Sequence, residues 1–215
     1  MLEVKKKRSW RPFAGAVIVI SIAAIAGQSV IASLNATAFN TSAQNINSGT
    51  MKLDLANSGN GFGTTIANLV PGDVVNRYVT LTNSGSINGI GLSLKTDQTG
   101  TASLINDGTG TVTTKALKLT VTSCPVAWDV ANGTCASPTV EIQSRVLGTL
   151  SSPVTLANSA LASSGVRYLQ MKIELPDQNE TTINGAIPAS TVQGGSVNIT
   201  YTFDLAQRLA TTSNS

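Results

Sequence analysis

Two cysteines and no histidine bound the chemistry open to this chain of 215 residues. Without an imidazole there is no His-Glu-x-x-His metal helix, no Ser-His-Asp triad and no Cys-His pair. Cys124 and Cys135 stand 11 positions apart, and a two-thiolate metal site would have no histidine to complete it. In an exported chain they would oxidise, closing a loop that holds Trp128, Asn132 and Gly133 and stabilising the fold by roughly 3 kcal/mol on the chain-entropy model; two free thiols are the other reading. The carboxylates are thinly scattered, and Asp177 and Glu180 form the only near pair. They read as a solvated loop after Pro176, although with loop carbonyls they could hold Ca²⁺ weakly. Asp73 in Pro71-Gly72-Asp73 reads as the cap of a tight turn, in which Pro fixes φ and Gly permits φ above zero. No catalytic residue, cofactor or metal ligand is expected. The Gly-rich stretch Gly108-Thr109-Gly110 lacks the strand and helix context of a phosphate loop.

The other chemistry written into the chain is its own cleavage. Lys5, Lys6, Lys7, Arg8 and Arg11 precede an apolar run from Phe13 to Ala26, and Ala36-Thr37-Ala38 places small residues where a signal peptidase needs them. Residues 1–38 are therefore expected to be a signal helix. The apolar character continues to Leu34, close to the roughly 20 residues that cross a bilayer, so an anchor retained at the N-terminus is the competing reading. Contact with a membrane is expected only through the uncleaved signal. Five of the 14 Lys and Arg lie in this leader with one of the 11 acids, leaving nine cations against ten acids beyond Ala38. Nothing basic remains to attract nucleic acid.

Those residues must be positioned by strands. The chain after the leader is rich in Thr, Ser, Asn and Gly with scattered Val, Ile and Leu, and period-two alternation dominates it. Met51, Leu53 and Leu55 alternate with polar neighbours; so do Val75, Arg77, Val79 and Leu81, then Ile90, Leu92 and Leu94, then Leu117, Leu119 and Val121. Strands are also expected at 140–146, 154–156, 169–175 and 197–205, a long polar loop at 96–114, and a helical turn or two at 157–163. About eight strands predict an all-β antiparallel sandwich of jelly-roll type. The expected organisation is the signal (1–38), an N-terminal segment with the first strand (39–55), the sandwich (56–208) and a polar tail (209–215).

Four segments resemble the TasA and camelysin family of exported bacterial matrix-fibre subunits. They are Ala38-Phe39-Asn40 followed by Ser48 to Leu53; Leu69-Val70-Pro71-Gly72-Asp73; Leu81 to Ser86; and Val192 to Ser196 leading to Tyr201 to Gln207. The resemblance implies removal of the leader by a SipW-type signal peptidase, a jelly-roll domain, and homopolymers formed when the freed N-terminal strand of one subunit joins the sheet of the next. It implies secretion to the biofilm matrix or cell surface, with an accessory fibre-anchoring protein as a further partner. Two features depart from the family: Thr41 follows Asn40 where an acid is usual, and the two-cysteine loop is not general.

The residues support strand donation independently. Ala38 to Ser48 is uncharged and free of Pro, with Phe39 and Ile46 as its only large apolar groups. Such a segment can satisfy a partner's unpaired edge through backbone hydrogen bonds. A head-to-tail contact of that kind does not close on itself, so it propagates into filaments. Pairing within its own domain, or disorder, is the alternative for this segment. Two other classes stand beside the fibre subunit: a monomeric surface module that binds glycan or protein through loops 96–114 and 124–135, and a camelysin-like metallopeptidase, which the missing histidine disfavours.

Overall fold

The computed structural model describes residues 47–59, 61–63, 66–106, 115–178, 184–186 and 191–212. The signal helix, the cleavage region Ala36, Thr37 and Ala38, and the donor candidates Phe39 and Ile46 lie outside the described residues. Residues 48–215 form one compact unit with its own hydrophobic core.

Its elements are β1 (Leu53–Ser58), β2 (Val74–Asn83), β3 (Gly89–Gly100), a short helix α1 (Ala102–Asn106), β4 (Lys118–Cys124), β5 (Thr139–Val146), a 3-10 turn (Leu147–Ser151), β6 (Val154–Thr155), β7 (Val166–Glu174) and β8 (Val197–Gln207). The strands form a five-stranded sheet in the order β1-β2-β7-β4-β5 and a three-stranded sheet in the order β6-β3-β8. Every pairing is antiparallel. The fold is all-β, as the alternation requires.

The two sheets share one core. Val79 and Leu81 of β2, Leu119 and Val121 of β4, and Leu169 and Met171 of β7 meet Leu92 and Leu94 of β3, each at most 1% exposed. These are the inward positions of the period-two pattern, so burial rather than intrinsic preference selects the register. On β3 the pattern skips a step: the ladder with β8 shifts between Ile90 and Ser93, where Gly91 takes a φ of 66°. A bulge there needs a residue that tolerates positive φ.

Two expectations fail. The loop predicted from Thr96 is strand as far as Gly100 and then α1. Its polar residues are accommodated because the Gln98 amide donates to the Thr96 carbonyl at 2.9 Å and the Leu147 carbonyl at 3.1 Å, leaving Thr96 fully buried beside β8. The helical turn expected over 157–163 is absent because its backbone is used elsewhere. Ala157 N–H bonds the Glu141 carbonyl at 3.0 Å, and Leu161 exchanges backbone bonds with Gly89 at 2.8 and 3.0 Å.

Candidate functional site

β1 and β8 stand at the same end of their respective sheets: the β1–β2 connector reaches β8, where the rings of Phe62 and Tyr201 stack at 4.3 Å with 12° between planes. At the opposite end β5 approaches β6 through the 3-10 turn. Among the described residues the second sheet has three strands against five, and β8 stands at one of its edges. β8 is the longest strand after β3, with 11 residues, and β3 alone pairs with it among the described residues.

Its inward side chains show the consequence. Val197, Ile199, Tyr201, Phe203 and Leu205 alternate with exposed neighbours and pack against the core, yet all remain only partly buried. Across the layer, Leu53 of β1 is half-buried and Leu55 is 44% exposed. Beside them lies a cleft of about 700 Å³ lined by Phe62, Ile66, Leu69, Leu175, Val197 and Tyr201, with Arg77 also on its wall. Burial pushes the Tyr201 hydroxyl well above its ordinary pKa, partly opposed by the positive charge of Arg77. Among the described residues Tyr201 Oη has no hydrogen-bond partner, a costly state for a buried hydroxyl.

The root of the N-terminal segment is fixed at the other end of β8. Ser86 N–H donates to the Thr50 carbonyl and Ser84 N–H to the Lys52 carbonyl, both at 2.9 Å. A Cβ on Gly85 would stand 2.4 Å from Thr50 O, so glycine is what lets the two chains run this close. Ser84 Oγ and Lys52 Nζ both donate to the Asp54 carboxylate and hold it below its usual pKa of 3.8. Segments 48–53 and 81–86, two of those quoted for the family resemblance, thus meet in space. Arg208 N–H bonds the Asn88 carbonyl at 2.9 Å, which puts this joint at the C-terminal end of β8.

The remaining sequence-predicted residues sit apart. At Pro71-Gly72-Asp73, Gly72 has a φ of 94°. The Asp73 carboxylate accepts Val70 N–H at 2.9 Å, so it caps the turn. Gly72 N–H and the Asp73 carbonyl then bond Leu175, tying the turn to the end of β7. Cys124 and Cys135 form a disulfide with an S–S distance of 2.02 Å. Its loop folds over the outer face of the larger sheet, where Trp128 Nε1 donates to the Tyr168 carbonyl at 3.2 Å and the indole packs on Tyr78 at 5.6 Å. Asp177 is described but Glu180 is not, and no group of three or more His, Cys, Asp or Glu comes together among the described residues.

Phe62 and the Tyr201 hydroxyl had no place in the sequence reading. Aromatic scarcity was the available signal, since the chain has only four Phe and three Tyr, and each is expected to anchor something. The chain matches no known family model, and no curated protein matches it.

Proposed function

We propose that the protein is a secreted structural subunit of extracellular or biofilm-matrix fibres, a jelly-roll domain that polymerises by accepting the N-terminal segment of another copy along β8. The observation that carries this reading is an 11-residue strand edge without a described partner, backed by five inward apolar side chains left half-buried. Exposed edges of this kind are templates for strand addition.

The donor segment fits the edge in length and polarity. Freed by a cut after Ala38, Phe39 to Ser48 is 10 residues long, a span of about 33 Å when extended. It presents Phe39, Thr41, Ala43 and Asn45 on one face and Asn40, Ser42, Gln44 and Ile46 on the other. Phe39 and Ile46 thus point to opposite sides of a regular strand, and one of them anchors the groove while the other faces out.

Direction favours a second copy over self-pairing. The segment leaves its own domain at Thr50, near the C-terminal end of β8, so folded back along that edge it would run parallel to β8. All described pairings are antiparallel, and a donor from another molecule is free to add in that sense. Such addition is head-to-tail and open-ended. A SipW-type peptidase cutting after Ala38 would release the donor, and an anchoring protein would hold the first or last subunit.

The test uses two chains. Residues 39–215 are expected to form filaments at micromolar concentration. Residues 49–215 are expected to stay monomeric and to bind a peptide of residues 38–48, with Phe39→Ser or Ile46→Ser in the peptide identifying the anchor. Two monomeric chains, with no peptide binding, would refute the reading.

A further inference from the structure

On the outer face of the larger sheet, away from β8, we propose a binding site for a neutral oligosaccharide, built under the disulfide loop around Trp128. A shallow concavity of about 480 Å³ lies there, lined by Thr122, Trp128, Thr134, Pro138, Val140 and Gln170 among others. This volume is within the range of small-molecule sites.

The lining chemistry selects the ligand class. Among the described residues no charged side chain lines the concavity, so a phosphate, a carboxylate or a cation would lose its hydration and find no counter-charge there. An acyl chain would find too many polar atoms and too little depth. A sugar ring suits both halves of the wall: its C–H face rests on an indole, and its hydroxyls exchange hydrogen bonds with hydroxyls and amides. Thr122 and Thr134 each offer a group that donates and accepts. Gln170 spends one amide proton on Tyr78 Oη at 3.1 Å, and its second proton and carbonyl oxygen retain bonding capacity.

The site is also rigid. The indole is pinned at one edge by its bond to Tyr168 and on one side by Tyr78, which is only 4% exposed. The loop carrying it is closed by the Cys124–Cys135 bond and again by the Asp129–Thr134 bridge, whose two backbone bonds are 3.1 and 3.2 Å. Asp129 caps the turn between them by accepting from Asn132 at 3.2 and 2.7 Å. A platform held this firmly loses little entropy when a ligand settles on it. This also accounts for a disulfide in a 12-residue surface loop whose contribution to the core is confined to Cys124 and the cover over Tyr78.

The experiment is a titration of residues 49–215, the compact unit with its own core, in which Trp128 is the only indole. Chitohexaose and cellohexaose are the probes, read by indole emission and by calorimetry. At least one should bind saturably. Trp128→Ala should weaken binding about tenfold or more, the share of an aromatic platform. Because that variant also uncovers Tyr78, the double variant Thr122→Val/Thr134→Val is the second arm; it should weaken binding several-fold with an unchanged melting temperature. Absence of saturable binding by both sugars would overturn the proposal, as would binding that survives both variants. The chain lacks the donor segment, so either result is independent of polymerisation.

Discussion

At the β5/β6 end of the sandwich, Leu147, Leu150, Leu156 and Leu161 are each at most 4% exposed. At the β1/β8 end, residues of the same apolar character at inward positions, from Leu55 to Phe203 and Leu205, remain half-open. The difference is in what covers them. The closed end has a 3-10 turn crossing from one sheet to the other, and a backbone stretch, 156–161, that bonds the free edge of β3. It also has a buried carboxylate: Glu141 accepts from Ser123 Oγ at 2.6 Å and from Asn158 N–H at 2.7 Å, and faces Arg167 at 3.6 Å. The open end has the Phe62–Tyr201 stack and, among the described residues, no strand beyond β8. The contrast supports the proposal that the open end accepts a strand from a partner.

The sharpest test of this contrast is truncation at each end. Leu150→Ala should cost about 3–4 kcal/mol, since a fully enclosed leucine leaves a cavity, whereas Leu55→Ala should cost under about 1 kcal/mol because that side chain has little burial to lose. Urea denaturation of the monomeric chain measures both. Equal losses would remove the distinction between the ends.

The next largest effect concerns the brace. Glu141→Gln leaves Arg167 facing a neutral amide, and should destabilise by about 2–3 kcal/mol, with faster amide exchange over 156–161 but not along β8. Exchange rising equally on β8 would mean that the ends are coupled.

At the root of the arm, Gly85→Ala forces a Cβ against Thr50 O. It should cost about 2 kcal/mol and release residues 48–52 from 84–87, seen as lost protection of the Ser84 and Ser86 amides. The smallest effect is electrostatic. Because bonds from Ser84 and Lys52 lower the Asp54 pKa, their contribution is present above the ordinary carboxylate pKa and is lost as pH falls through the lowered value. Asp54 is exposed, so NMR titration should show a pKa below 3.8 with scarcely any change in melting temperature; an unshifted value would count against the Ser84 contact.

The strands were legible in the sequence because each buries one face, and burial of alternate residues writes period two into the chain. The Pro71-Gly72-Asp73 turn and the disulfide were legible for a similar reason, being local and dependent on residue type. The strand beyond Thr96 was not, since its polar inward residue Thr96 is met by the Gln98 amide, which is itself held by the Leu147 carbonyl from a distant part of the chain. Nor was the extended course of 157–161, whose small polar residues suit a helical turn until the β3 edge competes for their backbone. The openness of β8 was hidden too. Alternation in Val197 to Leu205 reports which side faces inward, while the degree of covering depends on what lies beside the strand as well as across from it.

The most direct test of the central claim is hydrogen exchange on residues 49–215 with and without the peptide of residues 38–48. Strand addition predicts that the alternate β8 amides that do not bond β3 exchange readily alone and become strongly protected with the peptide, while amides of β5 and β6 do not change. Protection of the β8 edge without peptide, or protection appearing elsewhere on its addition, would contradict the account.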